Sequence, residues 1–90
     1  MLRVQYDEAK NRKNIRKHGI SFIEAEAAIT DPLSIHLYDE AHSGSEDRWL
    51  AIGNSDGKIL VISFTVRGEE HRIISARKAT RIEEKVYFQK

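Results

Sequence analysis

The only proline in the chain, Pro32, separates two segments whose hydrophobic periods differ, and this change of period constrains the fold most strongly. Before Asp31 and Pro32 the apolar residues recur at helical spacing, whereas after them apolar and polar residues alternate as in strands. Proline lacks the amide hydrogen that a helix interior requires, so a helix must end at this point. The chain is therefore expected to be an α+β protein, with helices first and most of a sheet second.

The segment before the proline predicts a short strand followed by a helix. Residues 2–6 alternate apolar and polar side chains, which suits a strand. Asp7 can cap a helix over residues 8–18, and Gly19 suits the left-handed conformation that ends many helices. The exposed surface of this helix is expected to be almost entirely cationic. Its expected buried face is thin and consists of Asn11, Ile15 and His18.

Two further helices begin with capping boxes, in which a Ser or Thr is followed by Glu three residues later. Ser21 and Glu24 predict a helix that ends at Pro32, and Thr80 and Glu83 predict a short C-terminal helix. The first of these helices carries an apolar stripe made of Phe22, Ala25, Ala28 and Ile29. The second is expected to bury Ile82, Val86 and Tyr87.

Four strands are expected after the proline, at residues 34–39, 48–54, 58–66 and 71–77. The tripeptide Ser55-Asp56-Gly57 between the second and third of them is a strong hairpin signal. Because their connections are short, the last three strands should form an antiparallel meander. The predicted order of elements is βααββββα, an antiparallel sheet with an N-terminal helix pair and a short C-terminal helix.

Alternation along the last two strands predicts which side chains share a face. The helix-covered face is expected to hold Leu60, Ile62, Phe64 and Val66, and the other face Ile59, Val61, Ser63 and Thr65. In the next strand, alternation places Ile73, Ser75 and Arg77 together. Arg72 falls on the other face, so at least one arginine lies on a sheet surface. An arginine beside hydroxyl groups on a sheet surface favours the binding of a phosphate group. The alternative is that these arginines are structural and pair with acidic residues of the chain.

The charges of the chain are separated into blocks, although the net charge is only +1. Residues 1–18 are mostly basic, and residues 19–47 contain seven acidic residues without any Lys or Arg. Basic residues return from Arg48 onwards. A bipolar surface of this kind can attract a polyanion at its basic pole, and solvated helix faces explain the same pattern equally well.

Length and composition exclude several classes of protein. Ninety residues support one domain, here residues 1–90, and the absence of cysteine excludes disulfides and thiolate metal sites. The longest apolar run, Ile59 to Ile62, is far too short to span a membrane. The first residues show no signal-peptide core, so a cytoplasmic location without membrane contact is expected.

The four histidines do not have the spacing of metal ligands, and neither a metal nor another cofactor is expected. His18 is interpreted either as a packed residue with one hydrogen bond or as a group near a substrate. His42 lies in a polar loop and is expected to be solvated.

Three separated motifs resemble the BrnT family of toxins. They are the segment from Asp7 to Ala25 with its Lys17-His18-Gly19, the segment 48–53 that reads Arg-Trp-Leu-Ala-Ile-Gly, and the segment 72–80 that reads Arg-Ile-Ile-Ser-Ala-Arg-Lys-Ala-Thr. The resemblance extends from position 6 to 87. Tyr6, Ile29 and Lys85 stand where the family commonly has Trp, Phe and Arg.

This resemblance implies a RelE-like ribonuclease toxin of a type II toxin–antitoxin pair. Such a toxin cleaves RNA and is neutralised by a ribbon-helix-helix antitoxin of the BrnA kind, in a 2:2 complex that represses its own promoter. DNA is then contacted only through the antitoxin. The alternative is a non-catalytic module that binds RNA or the antitoxin.

Metal-independent RNA cleavage uses the 2′-hydroxyl as nucleophile, a base to take its proton and positive groups to stabilise the crowded phosphate. The candidate catalytic residues are Arg48, Arg72, Arg77, His18 and Glu46, and the candidate RNA-binding residues are Lys10, Lys17 and Arg67. The three catalytic arginines are expected to stabilise the phosphate, and either His18 or Glu46 is expected to be the base. Lys10 and Lys17 are expected to hold the flanking backbone.

Overall fold

A computed structural model describes residues 3–89, and within them three helices pack on a five-stranded sheet. The predicted succession of strands and helices is confirmed, with a short 3-10 turn at Glu40–His42 between the second and third strands. The predicted strand over residues 2–6 begins at Leu2, which lies outside the described residues. The elements are β1 (Arg3–Gln5), α1 (Glu8–His18), α2 (Phe22–Ile29), β2 (Ile35–Tyr38), β3 (Trp49–Ser55), β4 (Lys58–Arg67), β5 (Glu70–Lys78) and α3 (Arg81–Phe88).

The sheet is mixed, which corrects the prediction of an antiparallel sheet. Its strand order is β1-β5-β4-β3-β2, and β1 pairs in parallel with β5. The other neighbouring strands are antiparallel, as the meander of β3, β4 and β5 predicts. No hairpin joins β1 to β5, so their direction is not restricted by a short connection. Because β1 reaches only Glu70 to Arg72, no strand formed by residues 3–89 lies beside the edge of β5 beyond Arg72.

The hairpin between β3 and β4 turns at Asp56 and Gly57, as predicted. Both residues have positive φ angles, of 50° and 90°. A two-residue turn with two positive φ angles matches the right-handed twist of the strands on either side of it. β4 pairs with β3 on one side and β5 on the other and is the central strand of the sheet. Its two faces contribute residues to the two cores of the protein.

The two faces of the sheet carry separate hydrophobic cores. The first core packs β4 residues such as Leu60 and Ile62 against α2, and the backbone of Gly53 lies so close to Ala28 of α2 that a Cβ atom would collide with its carbonyl oxygen. The second core lies on the opposite face, where Tyr87 of α3 covers Ile52, Ile59 and Val61. The predicted alternation along β4 is thus confirmed, except that Val66 lies beyond the helices and is exposed.

Helix α1 is held by two asparagines rather than by apolar residues. Asn11 and Asn14 are the buried residues of α1, whereas Ile15 is 42% exposed and His18 is exposed. The expected buried face of Asn11, Ile15 and His18 is therefore wrong in its last two members. Asn11 Oδ1 accepts a hydrogen bond from the amide of Phe22 at 2.7 Å, which fixes the connection to α2.

The side chain of Asn14 forms hydrogen bonds with the unpaired edge of β5 that a neighbouring strand would otherwise form. Its Nδ2 donates to the carbonyl oxygens of Ile20 and Ala76, both at 2.8 Å, and its Oδ1 accepts from the amide of Ala76 at 3.1 Å. The carboxamide thus both donates to and accepts from one residue of β5, as a neighbouring strand does. Because these bonds are buried, they fix the position of α1 against the sheet.

Replacing Asn14 with alanine is expected to lower the free energy of unfolding by about 3 kcal/mol, because it leaves buried amide and carbonyl groups without partners. Replacing the neighbouring Ile15 with alanine is the matched control, and it should cost less than about 1 kcal/mol because that side chain is half exposed. Urea unfolding of the two variants checks this order. A larger loss from Ile15 than from Asn14 would show that α1 is held by apolar packing.

Helix α3 touches the sheet through fewer side chains than its pattern predicts. Of the three residues expected to be buried, only Tyr87 is buried, while Ile82 is 75% exposed and Val86 is also exposed. The helix is instead fixed at its start by the predicted capping box of Thr80 and Glu83. Consequently α3 covers one end of the second face, while the loop that follows β2 covers the other end, where the buried Thr65 hydroxyl donates to the carbonyl oxygen of Asp47 at 2.7 Å.

Candidate functional site

A β-bulge in β5 lies at the centre of the candidate site. In the pairing of β4 with β5, Ser63 is opposite Ser75, and the next residue, Phe64, is opposite Ile73. Ile74 is therefore an extra residue in β5 with no partner in the register. Bulges of this kind bend the strand and re-aim its side chains, and they are common next to functional sites.

The bulge changes which residues of β5 share a face. Ile73 and Ala76 both lie in the first core, although residues three apart in a regular strand lie on opposite faces. Ser75 and Arg77 consequently lie on the second face, where they line a cavity. The predicted grouping of Ile73 with Ser75 and Arg77 is wrong for this reason.

The cavity on the second face, named here the arginine cleft, has a volume of about 310 Å³. It lies beside α3 and opens between β3, β4, β5 and the loop that follows β2. Its apolar floor includes Leu50 and Val61. Its polar lining is Asp39, His42, Arg48, Ser63, Ser75 and Arg77. Two arginines and two hydroxyl groups around one concave surface suit the binding of a phosphate group.

Arg77 is oriented by Glu83 at the start of α3. Its Nη1 and Nη2 atoms donate to the two carboxylate oxygens of Glu83 at 2.7 and 2.9 Å, and Nη1 also donates to the carbonyl oxygen of Lys78 at 3.3 Å. These bonds occupy three of the five N–H groups of the guanidinium. The side chain remains 41% exposed, so an anion can reach the other N–H groups.

The hydrogen bonds between Arg77 and Glu83 favour the charged form of both partners. The hydrogen bonds from Arg77, together with the capping bond from Thr80, lower the pKa of Glu83 to about 2, against the effect of its partial burial. The hydrogen bond to Glu83 likewise raises the pKa of Arg77. Since both partners are ionised near neutral pH, the orientation of the guanidinium is constant there.

His42 forms a second polar pair in the arginine cleft, with Asp39. The His42 Nδ1 atom lies 3.1 and 3.0 Å from the two carboxylate oxygens of Asp39. Asp39 is largely buried, at 14% exposure, whereas His42 is 69% exposed. A carboxylate can only accept here, so in the neutral ring Nδ1 carries the proton and Nε2 is left as the proton acceptor, which is the arrangement of a general base.

The loop from β2 to β3 places Arg48 beside this pair. The amide of Asp39 donates to the carbonyl oxygen of Arg48 at 2.8 Å, and the Ser43 hydroxyl donates to the carbonyl oxygen of Asp39 at 2.7 Å. The amide of Arg48 in turn donates to the Ser43 hydroxyl at 2.9 Å. Among residues 3–89, no hydrogen bond or ion pair engages the guanidinium of Arg48. Its charge is therefore free for a ligand in the cleft.

A second cavity, named here the lysine cleft, adjoins the arginine cleft across β5. Its volume is about 320 Å³, and it shares Ile74 and Ser75 with the arginine cleft. Helix α1 supplies the remaining lining, which consists of Lys10, Lys13, Asn14, Lys17 and His18. The lysine cleft thus runs along the open edge of β5, where Asn14 holds α1 in place.

The structure brings together five of the residues predicted from the sequence and separates the other three from them. Arg48 and Arg77 line the arginine cleft, and Lys10, Lys17 and His18 line the lysine cleft. The other three, Arg67, Glu46 and Arg72, line neither. Arg67 Nη2 donates to Glu46 Oε2 at 3.0 Å. Arg72 lies opposite Thr65, on the far side of the bulge.

Three residues of the site did not emerge from the sequence, namely Asp39, His42 and Lys13. His42 is exposed, as the polar loop predicts, but it also pairs with Asp39 at the cleft. The available signal was Asp39 at the end of a predicted strand, followed three residues later by His42. Lys13 was not singled out because α1 carries several basic residues and nothing in the sequence distinguishes this one.

The family comparison covers the segment of the chain that contains both clefts. The family model for the ribonuclease toxin BrnT of type II toxin–antitoxin systems matches residues 6–83. The chain belongs to the BrnT family. Both clefts lie inside the matched segment, so the basic surface described above belongs to a BrnT-type ribonuclease toxin, and membership of a type II system implies an antitoxin partner. No curated protein sequence matches the chain.

Residues 3–89 of this BrnT family member hold neither a candidate metal site nor a candidate membrane-spanning helix. Residues 3–89 contain no cluster of three or more His, Asp or Glu side chains placed to hold a metal ion. In the same part of the chain, no helix is both long and apolar enough to cross a membrane.

Proposed function

We propose that this BrnT toxin is a metal-independent endoribonuclease that cleaves RNA in the arginine cleft. The observation that supports the proposal most is the convergence of Arg48, Arg77 and the His42–Asp39 pair on one cavity. The arginines supply positive charge for a phosphate, and the histidine supplies a proton acceptor. The roles predicted from the sequence for Arg72 and Glu46 remain predictions, since neither lines this cavity.

In the proposed reaction, His42 Nε2 takes the proton of the ribose 2′-hydroxyl, and the 2′-oxygen attacks the adjacent phosphorus. The bond from phosphorus to the 5′-oxygen of the next nucleotide breaks, and that oxygen takes a proton from a water molecule in the cleft. The hydroxide formed from this water takes the proton held by His42, which returns the histidine to its neutral form. The products are a 2′,3′-cyclic phosphate and a free 5′-hydroxyl. Arg48 and Arg77 stabilise the extra negative charge on the phosphate oxygens as the attack proceeds.

We further propose the wider setting that the family resemblance suggests. The domain is a RelE-like toxin acting in the cytoplasm, where RNA-binding residues such as Lys10, Lys17 and Arg67 hold its substrate. A ribbon-helix-helix antitoxin of the BrnA kind neutralises it in a 2:2 complex, and the complex represses its own operon by binding DNA through the antitoxin. The mass of the complex formed with the protein encoded beside it, and its binding to the promoter, test this setting.

Purified protein is expected to cleave RNA in the presence of EDTA and to leave 2′,3′-cyclic phosphate ends, because attack by the 2′-hydroxyl needs no metal. A substrate in which the nucleotide at the cleaved position is 2′-deoxy should resist cleavage there, since the nucleophile is absent. Gel analysis of end-labelled oligonucleotides measures both results. Cleavage that requires added Mg²⁺, or that persists at the 2′-deoxy position, contradicts the proposed reaction.

A further inference from the structure

The lysine cleft concentrates positive charge that the described part of the protein does not neutralise. Lys10, Lys13 and Lys17 follow each other at spacings of three and four, which places them on one stripe of α1. Within residues 3–89, none of the three forms an ion pair with a carboxylate. Lys10 also lies in the first turn of α1, where the helix dipole disfavours a cation. Like charges in this arrangement repel each other, and a bound anion relieves the repulsion.

The position of the lysine cleft indicates which anion it takes. Ile74 and Ser75 line both clefts, so only the bulged segment of β5 separates them. The buried hydrogen bonds between Asn14 and Ala76 keep α1 at a fixed distance from this segment. If one phosphate of a ligand lies in the arginine cleft, the next part of the same molecule therefore lies beside the three lysines of α1.

We propose that the lysine cleft binds the backbone phosphate adjacent to the cleaved one, so that a single RNA strand crosses β5 at Ile74 and Ser75. This inference rests on the proposed function, because it takes the arginine cleft as the place of cleavage. The ligand is single-stranded RNA of at least three nucleotides.

A single strand fits this path better than a duplex. The path leaves the second face of the sheet and passes over an open strand edge to a helix, so it changes direction over a short distance. The flexible backbone of a single strand follows such a groove, whereas an RNA duplex is a stiff rod that contacts proteins across its shallow minor groove.

The test measures binding of 2′-O-methyl oligonucleotides, which cannot undergo 2′-hydroxyl attack, by fluorescence anisotropy at several salt concentrations. The variant Lys13→Ala/Lys17→Ala removes two charges from the cleft. The matched control Arg12→Ala/Arg16→Ala removes two charges from the same helix at residues that line neither cleft. We expect the lysine variant to bind a tetranucleotide about tenfold more weakly than wild type, and the control to change affinity less than twofold.

The salt dependence gives a second readout of the same contact. Loss of one phosphate contact on a single strand should reduce the slope of log affinity against log salt by about 0.7. This reduction is expected for the lysine variant with the tetranucleotide and not with a dinucleotide, whose single phosphate occupies the arginine cleft.

The outcomes separate this inference from the proposed function. Equal losses in the lysine variant and the arginine control overturn the inference, whether or not RNA is cleaved. A lysine variant that keeps full affinity for the tetranucleotide but loses the antitoxin also overturns it, and assigns the lysine cleft to a protein partner. Wild-type protein that shows the predicted binding but cleaves no unmodified RNA contradicts the proposed function alone.

Discussion

Replacing Arg77 with alanine is expected to lower kcat/KM for RNA cleavage by about 100-fold or more. The guanidinium is aimed at the arginine cleft by the two hydrogen bonds to Glu83, so little reorientation is needed as negative charge develops on the phosphate. Removing one preorganised donor of this kind typically costs a factor of this size. Initial rates on a short end-labelled oligonucleotide measure the effect.

Two further variants separate the role of Arg77 in catalysis from its role in holding α3. Arg81→Ala removes an exposed arginine that lines neither cleft and should have little effect. Glu83→Ala breaks the same ion pair but leaves the guanidinium in place, so it should lower the rate less than about tenfold. If Glu83→Ala costs as much as Arg77→Ala, the pair acts by fixing α3, and the charge of Arg77 is not used on the phosphate.

The ion pair also explains how one arginine can serve both the fold and the reaction. A bidentate carboxylate fixes the plane of a guanidinium but does not use all of its donors. Arg77 therefore resembles an arginine in a binding site more than a buried structural arginine, because a large part of its side chain still faces solvent. Arg48 complements it as a cation whose guanidinium makes no ion pair among residues 3–89.

The features that the sequence predicted well depend on interactions between near neighbours. The capping boxes at Ser21 and Thr80, and the turn at Asp56 and Gly57, are formed by residues two or three positions apart. Their side-chain chemistry and backbone freedom are therefore visible in a short window of sequence. The succession of helices and strands follows from them, together with the change of period at Pro32.

The features that the sequence did not predict depend on contacts between distant segments. The parallel pairing of β1 with β5 joins residues about 67 positions apart, for example Arg3 with Glu70, and no local signal gives its direction. The burial of Asn14 was missed because helical spacing from Asn11 leads to Ile15 and His18, and leaves Asn14 on the neighbouring stripe with Lys10 and Lys17. Its burial is stable only because the open edge of β5 supplies partners for its carboxamide.

The candidate site was predicted in part for the same reason. Arg48 and Arg77 could be proposed from their residue type and strand position, but their convergence depends on the β4–β5 register. Strict alternation puts Arg72 and Arg77 on opposite faces, because they are an odd number of residues apart. The bulge at Ile74 puts Arg72 and Arg77 on the same face of the sheet. The two arginines nevertheless lie on opposite sides of the bulge along β5, and Arg72 lines neither cleft.

Replacing His42 with alanine is expected to lower kcat/KM for RNA cleavage by about 100-fold or more, the usual contribution of a positioned general base. The comparison that decides the assignment is His18→Ala, because the sequence predicts His18 as the base whereas the structure places it in the lysine cleft. His18→Ala should have a much smaller effect. Both side chains are exposed, so neither substitution should unfold the protein, and urea unfolding checks this.

Added imidazole gives a readout that a structural role of His42 would not produce. Truncation of an exposed side chain at an open cleft leaves room for a free imidazole, which can take the 2′-hydroxyl proton in its place. Activity of His42→Ala should therefore rise with imidazole concentration, and activity of Arg77→Ala should not, because imidazole does not replace a guanidinium. If His18→Ala shows the large loss and the imidazole rescue while His42→Ala shows neither, the general base lies in the lysine cleft. The cleaved phosphate then binds on the α1 side of β5, and the arginine cleft binds the adjacent phosphate.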